Sequence, residues 1–257
     1  MKKNAIPDGT EIYWDGAHYD LNHKELPNYG DTDFYFRQAV KAKGPVLELA
    51  CGTGRITVAL ARKGIDIRGL DISRQMLAEA AKKSGKAGIN VEWINADARK
   101  FKVNGKFPLV IMPFRSLQHI HSHNDLLSLF RSVRGHLRKG GKFIFDIQNP
   151  HPAGLKTESD EPLPVGSYKE PGTGRALTLM ETSVYDRASQ INRITWTYWH
   201  KGRKLFTKKL NLRCLFPQEM TAIVSLADFK IIARYGDFSK NPFKSDSLKQ
   251  ILIIQPL

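Results

Sequence analysis

The stretch VLELACGTGRIT, residues 46–57, joins an apolar run to two closely spaced glycines and then to a segment of helical composition. Such a strand–turn–helix unit opens a doubly wound α/β sheet, where ligands bind at the carboxyl ends of the strands. A dinucleotide site requires a third glycine where this chain has Thr57. Glu48 would also repel a pyrophosphate, whereas it suits a cationic ligand group. The turn therefore disfavours NAD.

Short apolar runs and helical patterns alternate from residue 44 to residue 148, which indicates strand–helix units and a parallel sheet. Strands are predicted at residues 45–50, 65–71, 90–97, 107–114 and 142–148. Helices are predicted at residues 55–63, after the capping residue Ser73, and at residues 124–141.

The pattern changes after residue 152. A Pro/Gly-rich passage reaches about residue 174, and three β-rich runs, a helix and two closely connected strands follow. These elements are predicted at residues 176–186, 191–200, 204–216, 217–229, 230–238 and 248–257. The three runs predict an antiparallel meander, and the short connector between the last two strands predicts that they pair antiparallel.

Three segments in order, LELACGTG, IRGLDIS and INADARKF, resemble the class I S-adenosylmethionine-dependent methyltransferases. The family's motif of an acid and alternating small residues is matched by Glu48, Ala50, Gly52 and Gly54, with Ala50 in place of the usual first glycine. The resemblance covers residues 44–150 and 217–257. It implies a Rossmann-like, seven-stranded, mostly parallel α/β sheet with a reversed last strand and an inserted antiparallel β lid.

The resemblance divides the chain into an N-terminal helical flap at residues 1–43, a cofactor-binding core at residues 44–150 and 217–257, and the lid at residues 151–216. It implies S-adenosylmethionine as the cofactor and S-adenosylhomocysteine as the product. The implied cofactor residues are Tyr19, Glu48, Ala50, Cys51, Gly52, Gly54, Arg55, Asp71, Ile72, Met76, Asp97, Ala98, Arg99 and Pro113.

Particular roles follow for some of these residues. Asp71 is expected to accept both ribose hydroxyls, although it is also suited to capping a helix. Asp97 is expected to accept from the adenine amino group, with Ile72 and Met76 as apolar walls for the ring. Glu48 is expected to act near the amino-acid end of the cofactor, through water or backbone amides. Cys51 is interpreted as a small residue in a tight turn rather than a nucleophile.

The methyl acceptor is expected beyond the fourth strand, in the segment PFRSLQHIHSH. Methyl transfer from a sulfonium mainly requires positioning, so no catalytic triad is needed. The candidate acceptor residues here are Phe114, Arg115, Gln118 and His119. His119 is either a general base or a residue that orders the loop. The segment lacks the Asn/Asp-Pro-Pro-Tyr-like motif of nucleic-acid amino-methyltransferases, which favours a small-molecule acceptor. His121 and His123 complete an alternating triplet that we interpret as a solvated loop, so no metal is expected.

Two other segments are candidates to close the pocket. In the flap, Tyr19, Phe34 and Tyr35 either line the site or join an N-terminal helix to the core. In the lid, Trp196, Tyr198 and Arg213 present a face for a planar or acidic acceptor, or form the lid's own underside or a subunit contact.

The formal net charge of +15 favours acidic partners such as nucleic acid, phosphorylated metabolites or anionic lipid, but the basic residues are dispersed along the chain. We expect a cytoplasmic enzyme, monomeric or homodimeric, without a membrane partner, since no run is apolar enough to span a bilayer. The predicted reaction is methyl transfer to N or O of a small metabolite. The alternatives are an RNA methyltransferase, which rests on the charge alone, and a binding module without turnover.

Overall fold

The computed structural model describes residues 9–14, 16, 19–20, 30–151, 154–155, 161–170 and 172–257. The chain forms two compact units, residues 1–27 with 150–214 and residues 28–149 with 215–257. We call the first the accessory unit and the second the core unit. This division splits the predicted flap into two parts. Residues 28–43 group with the core, and residues 1–27 group with the predicted lid. Most of residues 17–29 lie outside the described part.

The core unit is built on one sheet of seven strands in the order β10-β11-β5-β4-β1-β2-β3. Its strands are β1 (Val46–Leu49), β2 (Ile67–Asp71), β3 (Trp93–Asn95), β4 (Phe107–Met112), β5 (Leu137–Gln148), β10 (Phe229–Tyr235) and β11 (Lys249–Pro256). β11 is antiparallel to both β5 and β10, and the other pairings are parallel. The predicted mostly parallel sheet with a reversed last strand is confirmed.

Five helices accompany the strands in the described part of the chain. They are α1 (Asp31–Ala42), α2 (Arg55–Arg62), α3 (Arg74–Lys86), α4 (His123–His136) and α5 (Pro217–Leu226). The predicted Ser73 cap is confirmed, because its hydroxyl accepts from the amide of Met76 at 3.3 Å. None of the helices in the described ranges is long and apolar enough to cross a membrane.

The sheet is buried on both faces, which explains why its strands are almost continuously apolar. Alternation along β5 divides the core: Phe143 and Phe145 pack with Phe130 of α4 on one face. Ile144 packs on the other face with Phe34 of α1 and buried residues of α2. All the site-bearing loops therefore project from a rigid, two-sided core.

The start of β5 differs from the prediction. The helix predicted to reach residue 141 ends at His136, and Leu137 already pairs with Phe107. The next pairing of β5 with β4 joins Lys142 to Leu109, so residues 138–141 form a bulge. Gly140 has a φ of 76°, a left-handed conformation that glycine adopts without strain. The apolar spacing of Leu137 suited a helix, but tertiary pairing decided its conformation.

The accessory unit contains an antiparallel sheet of four strands in sequence order. They are β6 (Leu163–Lys169), β7 (Ala176–Asp186), β8 (Ile191–His200) and β9 (Arg203–Arg213). The prediction contained three strands and missed β6, whose sequence LPVGSYK lies in the Pro/Gly-rich passage. As an edge strand, β6 tolerates a proline that a central strand would not.

Gly69 of β2 should be essential for packing. A Cβ at this position would lie 2.5 Å from the Trp93 ring and 2.9 Å from the Cys51 sulfur. We expect Gly69→Ala to lower the free energy of unfolding by about 2 kcal/mol or more through overpacking. Gly135→Ala is the matched control, because its Cβ meets nothing within 4 Å and it lies in α4. Urea denaturation of both variants should show loss only for Gly69→Ala.

Candidate functional site

The turn between β1 and α2 lies at the carboxyl edge of the sheet and has two glycines with different roles. Gly52 and Gly54 have φ values of 55° and 78°. A Cβ on Gly54 would lie 2.7 Å from the Trp93 ring, whereas a Cβ on Gly52 would meet nothing within 4 Å. Gly54 is therefore required for packing, while Gly52 leaves its backbone open to a ligand. Between β1 and Gly52, Ala50 is held at a φ of 52°, which favours glycine, and Cys51 is a buried free thiol.

Asp71 ends β2 and joins two turns. Its Oδ2 accepts from the amide of Gly52 at 2.8 Å, and its Oδ1 accepts from the amide of Ser73 at 2.8 Å. Burial raises the pKa of Asp71, although these backbone hydrogen bonds lower it. A carboxylate has about four acceptor positions, so acceptor capacity remains for ribose hydroxyls. Beside it, Ile72 exposes 52% of its surface.

Glu48 lies beneath the turn and is only 3% exposed. Its carboxylate accepts a short hydrogen bond from the hydroxyl of Thr57 in α2. Burial raises the pKa of Glu48 to about 8, although the Thr57 hydrogen bond and the Arg55 charge lower it. Glu48 thus stabilises the start of α2, and its predicted role near the amino-acid end of the cofactor stays a prediction. Thr57, which replaces the third glycine of a dinucleotide turn, is the partner of this acid.

Among the residues predicted near the adenine, Asp97 and Arg99 form an ion pair. Arg99 binds the Asp97 carboxylate through two nitrogens, the closer at 2.7 Å, and also reaches Asp125 at 3.1 Å. Burial would raise the pKa of Asp97, but the bonds from Arg99 outweigh it and leave the pKa lowered. Ala98 packs against the core, and Met76 is only 1% exposed. Met76 therefore presents almost no surface to a ring, in contrast to Ile72.

Arg55, directly after the glycine turn, contacts both α1 and the loop after β4. Its guanidinium forms two hydrogen bonds with Asp31 of α1, at 2.6 and 3.0 Å. It also lies 5.0 Å from the centroid of the Phe114 ring, and Arg115 lies 5.3 Å from the same centroid. Residues predicted for the cofactor and for the acceptor are thus neighbours in space.

Asp146 near the end of β5 is a buried acid that the sequence analysis missed. It accepts from the Tyr35 hydroxyl at 2.7 Å and from the amides of Phe114 and Arg115 at 2.9 and 3.2 Å. Phe114 and Arg115 have φ values of 59° and 61°, and such left-handed residues are strained without compensation. Burial raises the pKa of Asp146, although the Tyr35 bond lowers it. Asp146 therefore fixes the conformation of the loop. The sequence feature that could have indicated this role is the single acid within the otherwise apolar run KFIFDIQ.

The rest of this loop is ordered by its own hydrogen bonds. The buried Gln118 accepts from the amide of Gln148 at 2.9 Å, and Ser116 donates to the carbonyl of the buried Pro113 at 2.7 Å. Gln118 and Tyr35 were predicted to contact the acceptor, but both side chains are buried and hydrogen-bonded to the protein. Both residues support the loop, and their contact with the acceptor stays a prediction. His119 ends the 3₁₀ turn of this loop and is partly buried.

The remaining histidines form no metal centre in the part of the chain that the structure describes. His123 lies 3.2 Å from Glu219 of α5, and its side chain is 62% exposed. Over the described residues, no group of three His, Cys, Asp or Glu side chains is arranged to hold a metal ion.

In the accessory unit, the predicted acceptor face is only partly assembled. Trp196 donates to Glu181 at 2.7 Å, and Tyr198 stacks on Phe206 at 4.5 Å between centroids. The β8–β9 register pairs Tyr198 with Phe206 but Ile191 with Arg213. Arg213 therefore lies on the opposite face from the two aromatic residues, which corrects the prediction of one shared face. Tyr19 lies 5.5 Å from Tyr13 between ring centroids, and its cofactor role stays a prediction.

The chain is similar to known methyltransferases in sequence and in fold. Residues 46–141 match the family described as a methyltransferase domain. YqeM of Bacillus subtilis (strain 168) is 32% identical over 132 residues, which is 51% of this chain and 53% of that protein. The chain thus spans about half the length of this curated relative.

Two solved structures share the fold. An S-adenosylmethionine-dependent methyltransferase from Clostridium acetobutylicum ATCC 824 has a TM-score of 0.76 at 19% identity, covering 93% of this chain and 96% of that one. The sugar N-methyltransferase KedS8 from Streptoalloteichus sp ATCC 53650 has a TM-score of 0.69 at 16% identity, covering 98% and 95%.

The core unit therefore has the fold of the class I S-adenosylmethionine-dependent methyltransferases. The residues that match the methyltransferase-domain family, 46–141, lie within this core unit.

The raised pKa of Glu48 predicts a pH dependence of stability. The folded chain keeps this proton up to about pH 8. An unfolded chain releases it near its ordinary pKa of about 4.3. The contribution of Glu48 to the free energy of unfolding is therefore fully present below the pKa of the unfolded chain, and it is lost as the pH rises toward 8. Glu48→Gln should keep the Thr57 hydrogen bond and remove this loss. Between about pH 5 and pH 8, urea denaturation should show the variant gaining about 2–4 kcal/mol relative to wild type. Parallel pH profiles would refute the assignment.

The loop anchor can be tested with Asp146→Asn. A carboxamide has a single acceptor oxygen, so it cannot replace all three hydrogen bonds. We expect the free energy of unfolding to fall by about 1–3 kcal/mol, and the amides of Phe114 and Arg115 to exchange hydrogen faster. Tyr35→Phe is the control, because it removes one donor and leaves both amides bound. Unchanged exchange at the two amides in Asp146→Asn would exclude the anchoring role.

Proposed function

We propose that this protein transfers a methyl group from S-adenosylmethionine to a nitrogen or oxygen atom of a small molecule. The observation that carries the proposal is the open turn at Gly52 beside Asp71, at the carboxyl edge of the sheet. This is the place where doubly wound sheets bind their ligands.

The residues around this turn fit the cofactor. Space in front of Gly52 is open, Asp71 retains acceptor capacity, and the apolar side chain of Ile72 is exposed next to it. We assign the ribose hydroxyls to Asp71, a wall of the adenine site to Ile72, and the adenine amino group to Asp97. When bound, the cofactor supplies a methyl group on a sulfonium, which is already activated for displacement.

The task of the chain is then to position the acceptor and to exclude water. The loop 113–119 is suited to this because Asp146 and Gln118 hold it rigidly. Phe114 and Arg115 are partly exposed on this loop and are assigned to acceptor contacts. His119 is assigned to removing a proton from the acceptor, because an imidazole is the commonest general base in enzymes.

The acceptor class follows from two considerations. The structural neighbour KedS8 is a sugar N-methyltransferase, which supports an amine on a small molecule. In the accessory unit, Trp196 and Lys208 pair across β8 and β9 and are both partly exposed, whereas Tyr198 on the same face is fully buried. An aromatic ring beside a cation suits a planar or acidic acceptor.

We place the enzyme in the cytoplasm. Cys51 and Cys214 are both buried and are not joined in a disulfide, which suits a reducing compartment.

A metabolite screen tests the activity directly. The protein is incubated with S-adenosylmethionine and pooled candidate acceptors, and S-adenosylhomocysteine is measured. Release that depends on one amine or hydroxyl compound supports the proposal. Binding of the cofactor without turnover on any pool, including RNA, would instead identify a binding module, and turnover on RNA alone would exclude a small-molecule acceptor.

The cofactor site can be tested without an acceptor. In Gly52→Ala, the new methyl group occupies the space assigned to the cofactor, so we expect calorimetry to show at least about tenfold weaker binding of S-adenosylmethionine, which is about 1.4 kcal/mol. Gly64→Ala is a matched control: Gly64 also has positive φ, 81°, and open space around its Cβ, but it lies after α2 at the other edge of the sheet. Both variants carry similar backbone strain. Equal affinity of the two variants would place the cofactor elsewhere.

A further inference from the structure

The chain has a formal net charge of +15, and some of its basic residues are grouped at one edge of the core unit. Six exposed basic residues lie at the amino edge of the sheet, opposite the cofactor turn. We call this surface the basic edge: Lys43, Lys106, Arg138, Lys139, Lys142 and Lys230. Lys43 and Lys106 precede β1 and β4, whereas the other four lie in the first half of β5 or near the start of β10.

Contacts across neighbouring strands make the basic edge continuous. Arg138 donates to the carbonyl of Ala42 at 3.0 Å, next to Lys43, and Lys106 donates to the carbonyl of Gly135. Lys230 pairs with Gln255 of β11, and the preceding residue of β11, Ile254, pairs with Phe143. Lys142, Gln255 and Lys230 therefore form one row across three strands.

The charge of this row is not compensated within the described part of the chain. Other basic residues of the unit have acidic partners, such as Arg68 with Glu92 at 3.1 Å and Arg134 with Asp228 at 2.6 Å. None of the six residues of the basic edge forms an ion pair with a described residue. Two exposed acids lie nearby: Asp66 near Lys43, and Asp228, which is paired with Arg134, two residues before Lys230.

The opposite edge of the sheet has a contrasting character. Asp71 and Asp146 are buried at or near the carboxyl ends of β2 and β5, and Asp97 after β3 is paired with Arg99. The acids of this edge are thus buried or paired with arginine, whereas the residues of the basic edge are exposed. Strands of about six residues separate the two edges by roughly 20 Å.

Exposed apolar side chains accompany the lysines. Leu226, at the end of α5 and three residues before β10, is 73% exposed, and Val40, in the last turn of α1, is 52% exposed. Among the described residues, the large hydrophobic side chains that are exposed are all aliphatic. Single-stranded nucleic acid is bound through aromatic stacking, whereas basic residues with exposed aliphatic ones suit an anionic bilayer.

We propose that the basic edge docks the protein on the surface of an anionic lipid bilayer. The lysines contact lipid headgroups, and Leu226 and Val40 enter the interface. Docking through this edge leaves the cofactor turn on the far side of the sheet accessible to solvent. The expectation of no membrane partner rested on the absence of a spanning run, which does not bear on surface contact.

Vesicle sedimentation tests the proposal with the full chain. We expect binding to phosphatidylcholine vesicles that contain phosphatidylglycerol, weaker binding at high salt, and none to phosphatidylcholine alone. Replacing Lys139, Lys142 and Lys230 together by Gln should weaken partitioning about 100-fold, from about 1 kcal/mol per lost charge. Leu226→Ser should weaken it further. Calorimetry with S-adenosylmethionine should remain unchanged, so this test is independent of the proposed reaction.

The matched control replaces Lys100, Lys240 and Lys244 by Gln, since these lysines of the core unit follow the carboxyl ends of β3 and β10 and the net charge changes equally. This variant should retain most of the wild-type binding to anionic vesicles. Equal loss in both triple variants would show a general charge effect and overturn the proposal. So would absent binding to the anionic vesicles at low salt. Tighter binding to an RNA oligomer, lost in the same edge variant, would replace lipid by nucleic acid as the partner.

Discussion

The candidate site depends on one buried carboxylate, that of Asp71, which holds two turns at fixed positions. Through one oxygen it binds the amide of Gly52, and through the other it binds the amide of Ser73 at the start of α3. The turn after β1 and the turn after β2 are thereby locked to each other. The open backbone at Gly52 keeps its position because the acid beside it is fixed at both oxygens.

Two other buried acids also hold neighbouring segments by hydrogen bonds along the carboxyl edge of the sheet. Glu48 holds α2 through Thr57, and Asp146 holds α1 through Tyr35 and the loop after β4 through two amides. Burial raises the pKa of all three acids, Glu48, Asp71 and Asp146. Buried polar groups are tolerated when they are hydrogen-bonded, and here each one fixes a loop that a ligand would contact.

The sequence predicted those features that depend on neighbours along the chain. Periodicity indicated the parallel strands and helices, and the glycine turn with Asp71 indicated the cofactor side. Features that depend on distant contacts were missed. The role of Asp146 requires α1 and the loop after β4 to meet β5, and the face of Arg213 depends on the register of the β8–β9 hairpin. The early start of β5 and the edge strand β6 were likewise decided by pairing rather than by local composition.

The packing around Trp93 has a consequence for how this sequence can diverge. Its ring fills the space above both Gly54 and Gly69, and its indole nitrogen donates to Ser84 of α3. These positions therefore cannot vary independently: a side chain at 54 or 69 becomes acceptable only after residue 93 has become smaller. In relatives that keep the glycine turn, we expect the size of the residue at position 93 to covary with the residue at position 69. Substitutions in β3, the shortest strand of the sheet, would then limit which residues the turn after β1 can accept.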